Sequence, residues 1–426
     1  MSADYLCREE FDFYVDHLKH TFLDFWLPRC MDTEYDGYLN CFNNQGTELM
    51  SKNKFIWSQG RFVWILSKLA STSADIFTEE ERARFLSMAE SGIRFLRKHA
   101  LIPNTMSCTY LTDQMGNLLY FGKEEIYDAS IYADCFVIIG FAKYAQAAGR
   151  EEELLFARDL FASVLKRIDE KNYHVLPYVR PEGRKMHGIP MITLNTACEL
   201  YEAAAALGRT EEAEAFREVI SQQYDEIMLH FRDEKGLIHE IVTEENEFTD
   251  DLLGRHINPG HTIEDLWFLY EGGLIAGKEN LHELLSQTLL ETFERGWDAE
   301  FGGVALYADQ DGGKPIGSVA PRDAQQDMVL RLLNNWDSKL FWVHSESLYT
   351  ALLLWKVTGR REIGEIYEKI RSYTFSVFPN PNKEIGEWIQ VRMRDGSPDE
   401  KLVGLPVKDP FHVPRNLIKI IELFDF

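Results

Sequence analysis

Cysteine is sparse in this chain and unpatterned. Cys7, Cys30, Cys41, Cys108, Cys135 and Cys198 form no CxxC and no Cys/His cluster, which argues against a disulfide framework and a zinc site and leaves reduced thiols as the expectation. Long apolar runs are missing too. Nothing approaches the roughly 18 residues needed to cross a bilayer, and residues 1–12 carry Asp4, Glu9 and Glu10 without an apolar core. Neither a membrane span nor a secretory leader is expected, and the reading is cytoplasmic. Positive charge is in deficit: 45 Lys and Arg against 69 Asp and Glu give a net charge of −24. That balance repels nucleic acid and anionic membranes and suits a neutral or zwitterionic ligand. No Pro/Gly/Ser-rich linker, charge block or low-complexity tract offers a place to cut the chain, so residues 1–426 are expected to form one domain.

What is present is core material, with 45% hydrophobic and 13% aromatic residues. Apolar residues recur at three and four spacings, as in Leu154, Leu155, Leu160, Phe161, Val164 and Leu165, the period of amphipathic helices. Other stretches, residues 133–144 and 348–355, are apolar nearly all round and must be covered on every side. A short punctuation closes several helices: Ala148-Gly149-Arg150, Leu207-Gly208-Arg209, Ala276-Gly277-Lys278 and Thr358-Gly359-Arg360. Glycine there supplies the left-handed residue that ends a helix. These marks lie roughly 60 to 80 residues apart, the length of a helical hairpin with its loops. The expected fold is all-α, an inner ring of apolar helices inside an outer ring. That is an (α/α)6 barrel, a toroid with short β-hairpins at one mouth, preferred over an open solenoid because the apolar helices need closure. The Gly- and aromatic-rich residues 34–40 and 297–307 are placed among those hairpins.

Four segments carry candidate chemistry. In Lys54-Phe-Ile-Trp57-Ser-Gln59-Gly-Arg61-Phe-Val-Trp64, helical spacing puts Trp57, Arg61 and Trp64 on one face. This is either a pocket wall suited to a sugar or an Arg held by a core carboxylate. In Gly254-Arg255-His256-Ile-Asn258-Pro259-Gly260-His261-Thr262-Ile-Glu264-Asp265, Asn-Pro-Gly reads as a turn, and Thr262 with Asp265 as a capping box that starts the next helix. His261 is then expected just outside a helix N-terminus, with Glu264 close enough to orient it or raise its basicity. The spacing is not HExxH and no third ligand cluster accompanies it, so no metal is expected. Lys339, Trp342, His344 and Glu346 place charge beside an indole ahead of an apolar helix, for structural ion pairing or for contact with substrate. Lys408-Asp-Pro410-Phe411-His412-Val-Pro414-Arg415 sets a histidine between prolines, which predicts a stiff, non-helical segment.

Taken together and in order, these segments resemble the N-acylglucosamine 2-epimerase family, also described as renin-binding proteins and related to cellobiose 2-epimerases and mannose isomerases. Residues 54–64, 254–268, Trp297-Asp298 with Gly302-Gly303, 339–346, Gly386-Glu387-Trp388 and 411–415 carry the match. The resemblance implies an (α/α)6 barrel with His261 and His412 as catalytic histidines on opposite faces of the sugar. It puts Arg61, Trp57, Glu264, Lys339, Trp342, His344 and Glu346 at or near the pocket. Pro190-Met191-Ile-Thr-Leu194-Asn195 resembles the N-acylglucosamine branch, which adds Asn195 and implies interconversion of N-acylglucosamine and N-acylmannosamine at C2. A free-hexose 2-epimerase or aldose-ketose isomerase is the near alternative, a glycoside hydrolase on the same fold a more distant one. Residues 404–411 are shorter than the family's glycine-rich approach to the second histidine. No metal or redox cofactor is required. ATP as an allosteric activator belongs to the family picture, although no Gly-rich nucleotide loop is visible, and a homodimer is a family expectation.

Overall fold

A computed structural model describes residues 6–122, 125–176, 179–399 and 408–424; of the shortened segment named above, residues 404–407 lie outside the described residues. Helix α1 (Arg8–Asp16) runs through a π-helical stretch, His17–Leu23, into the short α2 (Asp24–Trp26). There follow α3 (Ile56–Ser71), α4 (Glu79–His99), α5 (Ile131–Ala148), α6 (Glu151–Asp169), α7 (Gly188–Ala206) and α8 (Thr210–Glu226). The remainder comprises α9 (Leu252–Arg255), α10 (Pro259–Ala276), α11 (Leu281–Gly296), α12 (Asp327–Asn334), α13 (Phe341–Thr358), α14 (Arg361–Val377) and α15 (His412–Glu422).

The helices sort by composition. α5, α7, α10 and α13 are buried along nearly their whole lengths, and with α3 and α15 they form an inner ring. Each packs on the next, and α15 returns to α3 to close it. The outer helices α4, α6, α8, α11 and α14 each pack on the inner helix before them, while α1 packs on α15. An outer helix such as α4 buries one stripe (Phe85, Met88, Ala89, Ile93, Leu96) and starts on a capping box, Thr78 with Glu81. The glycine marks fall where inner helices end: Gly149, Gly277 and Gly359 are left-handed caps with φ of 66°, 69° and 66°, and Gly208 follows α7 at φ 71°. The tightest crossing joins α3 to α5. A Cβ on Gly60 would stand 2.2 Å from the Phe136 carbonyl oxygen, and one on Gly140 would stand 2.5 Å from that of Gly60.

Short antiparallel ladders gather at one mouth. Lys54–Phe55 pairs with Leu111–Thr112, Arg184–Met186 with Ile241–Thr243, His256–Ile257 with Ala308–Asp309, and Lys339–Leu340 with Val391–Arg392. The first strand of each pair leads within two residues into an inner helix. The ladders therefore fix the N-terminal ends of inner helices α3, α7, α10 and α13. Trp57, His261, Trp342 and His344 sit in the first turns of α3, α10 and α13, with Arg61, Glu264 and Glu346 one turn further in. At the other end, buried and half-buried cations and carboxylates interlock: Lys143 with Glu199 (2.9 Å), Lys68 with Glu422 (2.7 Å) and Lys419 with Glu271 (2.6 Å).

Two local expectations are corrected. α10 starts at Pro259, capped by Asn258, whose side chain accepts from the His261 N–H at 3.2 Å. No Thr262/Asp265 box starts this helix, and His261 lies inside its first turn. Asparagine is a better cap than the turn-plus-threonine arrangement, and proline fits the first helical position because its missing N–H is not needed there. For the same reason Pro414 is accommodated in the first turn of α15, so His412 opens a helix rather than sitting in a non-helical segment.

Candidate active site

His261 and His412 converge on one indole. Their ring centroids lie 5.6 and 5.5 Å from that of Trp342. Gly260 allows this, because a Cβ there would meet Trp342 at 2.6 Å and Val343 at 2.7 Å. Each histidine is held at Nδ1 by a buried carboxylate. His261 Nδ1–H donates to Glu240 Oε1 and Oε2 at 3.0 and 3.1 Å. His412 Nδ1–H donates to Glu346 Oε1 at 2.8 Å. In both rings this leaves Nε2 as the nitrogen available to accept or give a proton. The His261 side chain keeps 33% of its surface exposed and that of His412 10%, so both can be reached.

The electrostatics follow from these pairings. Burial works against a charged His261, but the Glu240 charge and hydrogen bond outweigh it and raise its pKa above 6.5. Burial alone would raise Glu240; the charge of His261, its hydrogen bonds and the nearby charge of His187 hold it well below the usual carboxylate range. On the other side, Arg415 donates to both Glu264 and Glu346, and Trp267 Nε1–H donates to Glu346 Oε2 at 3.0 Å. Against the cost of burial, the Arg415 charge and the His412 hydrogen bond keep Glu346 ionised.

Glu264 differs from expectation. It does not orient His261 but accepts from Arg415, with Oε1 3.6 Å from His412 Nδ1. One turn along α10, its side chain points toward α15, while the carboxylate behind His261 comes from Glu240, at the ladder joining Arg184–Met186 to Ile241–Thr243. Arg61 stacks 4.0 Å over Phe136 and 5.5 Å over Trp57 and pairs with Asp409 at 3.2 Å. Asp409 Oδ2 in turn lies 3.5 Å from His412 Nε2, too long for a good hydrogen bond. Arg61 Nε and the Trp57 indole N–H are buried without a hydrogen-bond partner among the described residues. Asn195 is buried on α7.

Lys339 and His344 belong to a different arrangement. Lys339 is fully buried and donates to Asp298 at 3.1 Å, which also binds Arg394 at 2.8 Å. His344 Nδ1–H donates to the Leu340 carbonyl at 2.7 Å and its Nε2 accepts from the Val304 N–H at 3.0 Å. Both its nitrogens are used, and burial pulls its pKa down to about 3. These two residues tie the α13 entry to the 297–304 turn instead of reaching the histidine pair. The residues that spacing did not single out are Glu240, His187, Asp265 as a partner of His187, and Arg415 as the bridge between two carboxylates.

Glu264, Glu346 and His412 offer ligand atoms within 4.8 Å of one another, which on distance alone would suit a cation. The Arg415 guanidinium already supplies positive charge to both carboxylates, so this donor set fits a metal poorly. The same bridge disfavours glycoside hydrolysis. That chemistry wants one carboxyl protonated as general acid, and against the cost of burial the Arg415 charge keeps Glu346 ionised. Two imidazoles with free Nε2 atoms, lying at the positive ends of α10 and α15, suit removal and return of a proton with charge building up between them.

The class defined by this fold and site is an (α/α)6 barrel with two carboxylate-anchored histidines at the N-terminal ends of inner helices α10 and α15. The sequence profile of the N-acylglucosamine 2-epimerase (GlcNAc 2-epimerase) family matches residues 37–413. This chain belongs to that family. It is similar to the N-acylglucosamine 2-epimerase of Bos taurus, 28% identical over 407 residues and covering 94% of this chain and 88% of that one. Among solved structures, the cellobiose 2-epimerase of Bacillus thermoamylovorans shares the fold with a TM-score of 0.77 at 17% identity, covering 98% of this chain and all of that one. A D-mannose isomerase shares it with a TM-score of 0.70 at 16% identity over the whole of both chains. Among the described residues, no helix is long and apolar enough to cross a membrane.

Proposed function

We propose that this protein is a sugar 2-epimerase that interconverts N-acylglucosamine and N-acylmannosamine by proton transfer at C2 of the open-chain sugar. The observation that carries this is the histidine pair: two imidazoles anchored at Nδ1 by separate carboxylates, flanking one indole, with Nε2 of each left for substrate. In the open-chain aldehyde the C1 carbonyl acidifies the C2 proton. A neutral imidazole takes it, the C–H electrons move into an enolate, and the second histidine returns a proton from the opposite face to invert C2. The unpartnered N–H groups of Trp57 and Arg61 and the Asn195 amide are the donors we assign to sugar oxygens, beside the Trp342 ring. The N-acyl choice rests on the similarity to N-acylglucosamine 2-epimerases and on the 190–195 stretch. An acetamido group at C2 cannot become a ketose carbonyl, which leaves epimerisation as the productive outcome. No cofactor enters these steps. ATP as an activator, a homodimer and a cytoplasmic location complete the proposal.

The experiment is proton NMR of the protein in D2O with N-acetylglucosamine, N-acetylmannosamine, glucose, mannose and cellobiose, with and without ATP. The expected result is loss of the C2 proton signal with interconversion of the two N-acetyl sugars. Exchange confined to free hexoses, or appearance of a ketose, would move the assignment to a hexose epimerase or isomerase. Absence of exchange in all five would overturn proton transfer on these sugars.

A further inference from the structure

Behind His261 lies a second histidine that the proposed chemistry does not use. His187 is fully buried at the N-cap of α7. Its Nε2 donates to Asp265 Oδ2 at 2.8 Å and its Nδ1 lies 3.7 Å from Glu240 Oε2. The backbone fixes this placement: the ladder that pairs Met186 with Ile241 continues with the His187 N–H donating to the Glu240 carbonyl at 2.9 Å. Asp265 sits one turn beyond His261 on the same helix. Asp265, His187, Glu240 and His261 thus form one chain running from the interior to the reacting nitrogen. With no exposed surface, His187 cannot touch a sugar.

We infer that His187, anchored on Asp265, is a positioning residue that fixes and partly neutralises the Glu240 carboxylate holding His261. This rests on the assignment of His261 as a proton-transfer group.

Several other ionisable groups face the chain. Glu264 approaches His261 from the other side, where Arg415 holds it. His256 faces Glu240; burial lowers its pKa, and its Nδ1–H is used by the Leu253 carbonyl at 2.7 Å. The Tyr132 phenol also faces Glu240 and is pushed up by burial, so it stays neutral. His187 is therefore the cation that competes with His261 for Glu240. Burial lowers its proton affinity, but the hydrogen bond to Asp265 and the charges of Asp265 and Glu240 outweigh this and carry it up to about 9. At neutral pH an imidazolium draws on the Glu240 charge, so His261 loses its own proton at a lower pH than it would with Glu240 to itself.

The test is a titration of the His261 ring by 15N-detected NMR in the wild-type protein, H187Q and D265N, run beside pH profiles of C2-proton exchange. H187Q removes the cation, and D265N removes the group that keeps it protonated. Both variants should raise the His261 midpoint and the acid limb of kcat/KM, with rates above the limb within about threefold of wild type. H187Q should do so by about half a pH unit or more, and D265N by less because it also removes the Asp265 charge that favours a protonated His261. If H187Q does not fold, D265N carries the same direction of shift with the ring retained. An unmoved His261 midpoint in a folded variant, or a loss of rate equal at every pH, would overturn the relay. The ring titration needs no turnover. A wild-type protein inactive on every sugar would therefore sink the function while leaving this inference to its own result.

Discussion

His261 and His412 resemble each other in being held at Nδ1, but the groups behind them differ. Glu240 is shared between two histidines, whereas Glu346 is shared with Arg415 and an indole. Replacing either catalytic candidate with alanine removes a proton acceptor without disturbing a helix cap. His261→Ala and His412→Ala should each reduce C2-proton exchange by about 10²–10⁴-fold with an unchanged circular dichroism spectrum; near-normal exchange in either would take that residue out of the mechanism. The sign of the pH effect follows from Glu240. Because it favours the protonated ring, His261 becomes a base only above its ordinary 6.5. The kcat/KM profile should rise with pH along a limb centred above that value, and a limb centred below it would contradict the pairing.

At the scale of helices and strands, function depends on how an inner helix begins. Asn258-Pro259-Gly260 does three things at once: it caps α10, starts it, and lets Trp342 approach the backbone. Gly260→Ala adds one methyl where the indole lies. We expect a loss of about 10²-fold in kcat through displacement of Trp342, together with a lower thermal midpoint because the methyl also meets buried Val343; wild-type kcat would show that the indole's position is immaterial. The motifs were legible in the sequence because each straddles a strand-to-helix junction, where residues close in sequence are also close in space. Trp57 with Arg61, and His261 with its helix, were readable on that account. Glu240 was not. It stands among Glu244, Glu245 and Glu247, and only the pairing of Arg184–Met186 with Ile241–Thr243 brings it to His261 and His187. Lys339 and His344 show the converse: a motif can be recognised correctly in sequence while some of its members serve the scaffold.

Over the whole molecule, the alternation of apolar and amphipathic helices and the glycine stops make the double ring readable in the sequence. Closure follows from the need to cover apolar helices, and the contact of α15 with α3 supplies it. The choice of mouth was not readable, because it depends on which helix ends the ladders collect. That closure has a consequence in time. Hairpins such as α3 with α4 or α7 with α8 join neighbours along the chain and can form early. The site needs α10, α13 and α15 side by side, and α15 seats only when it finds α3, hundreds of residues earlier in the chain. Contacts of such separation form late. When the denatured protein is diluted into buffer, far-UV ellipticity should therefore recover well ahead of catalysis, and equal rate constants for the two would refute this order. For an interval the molecule would hold most of its helices and none of its activity, with the inner faces of an unclosed ring open to one another's copies, so recovery of activity should fall as refolding concentration rises.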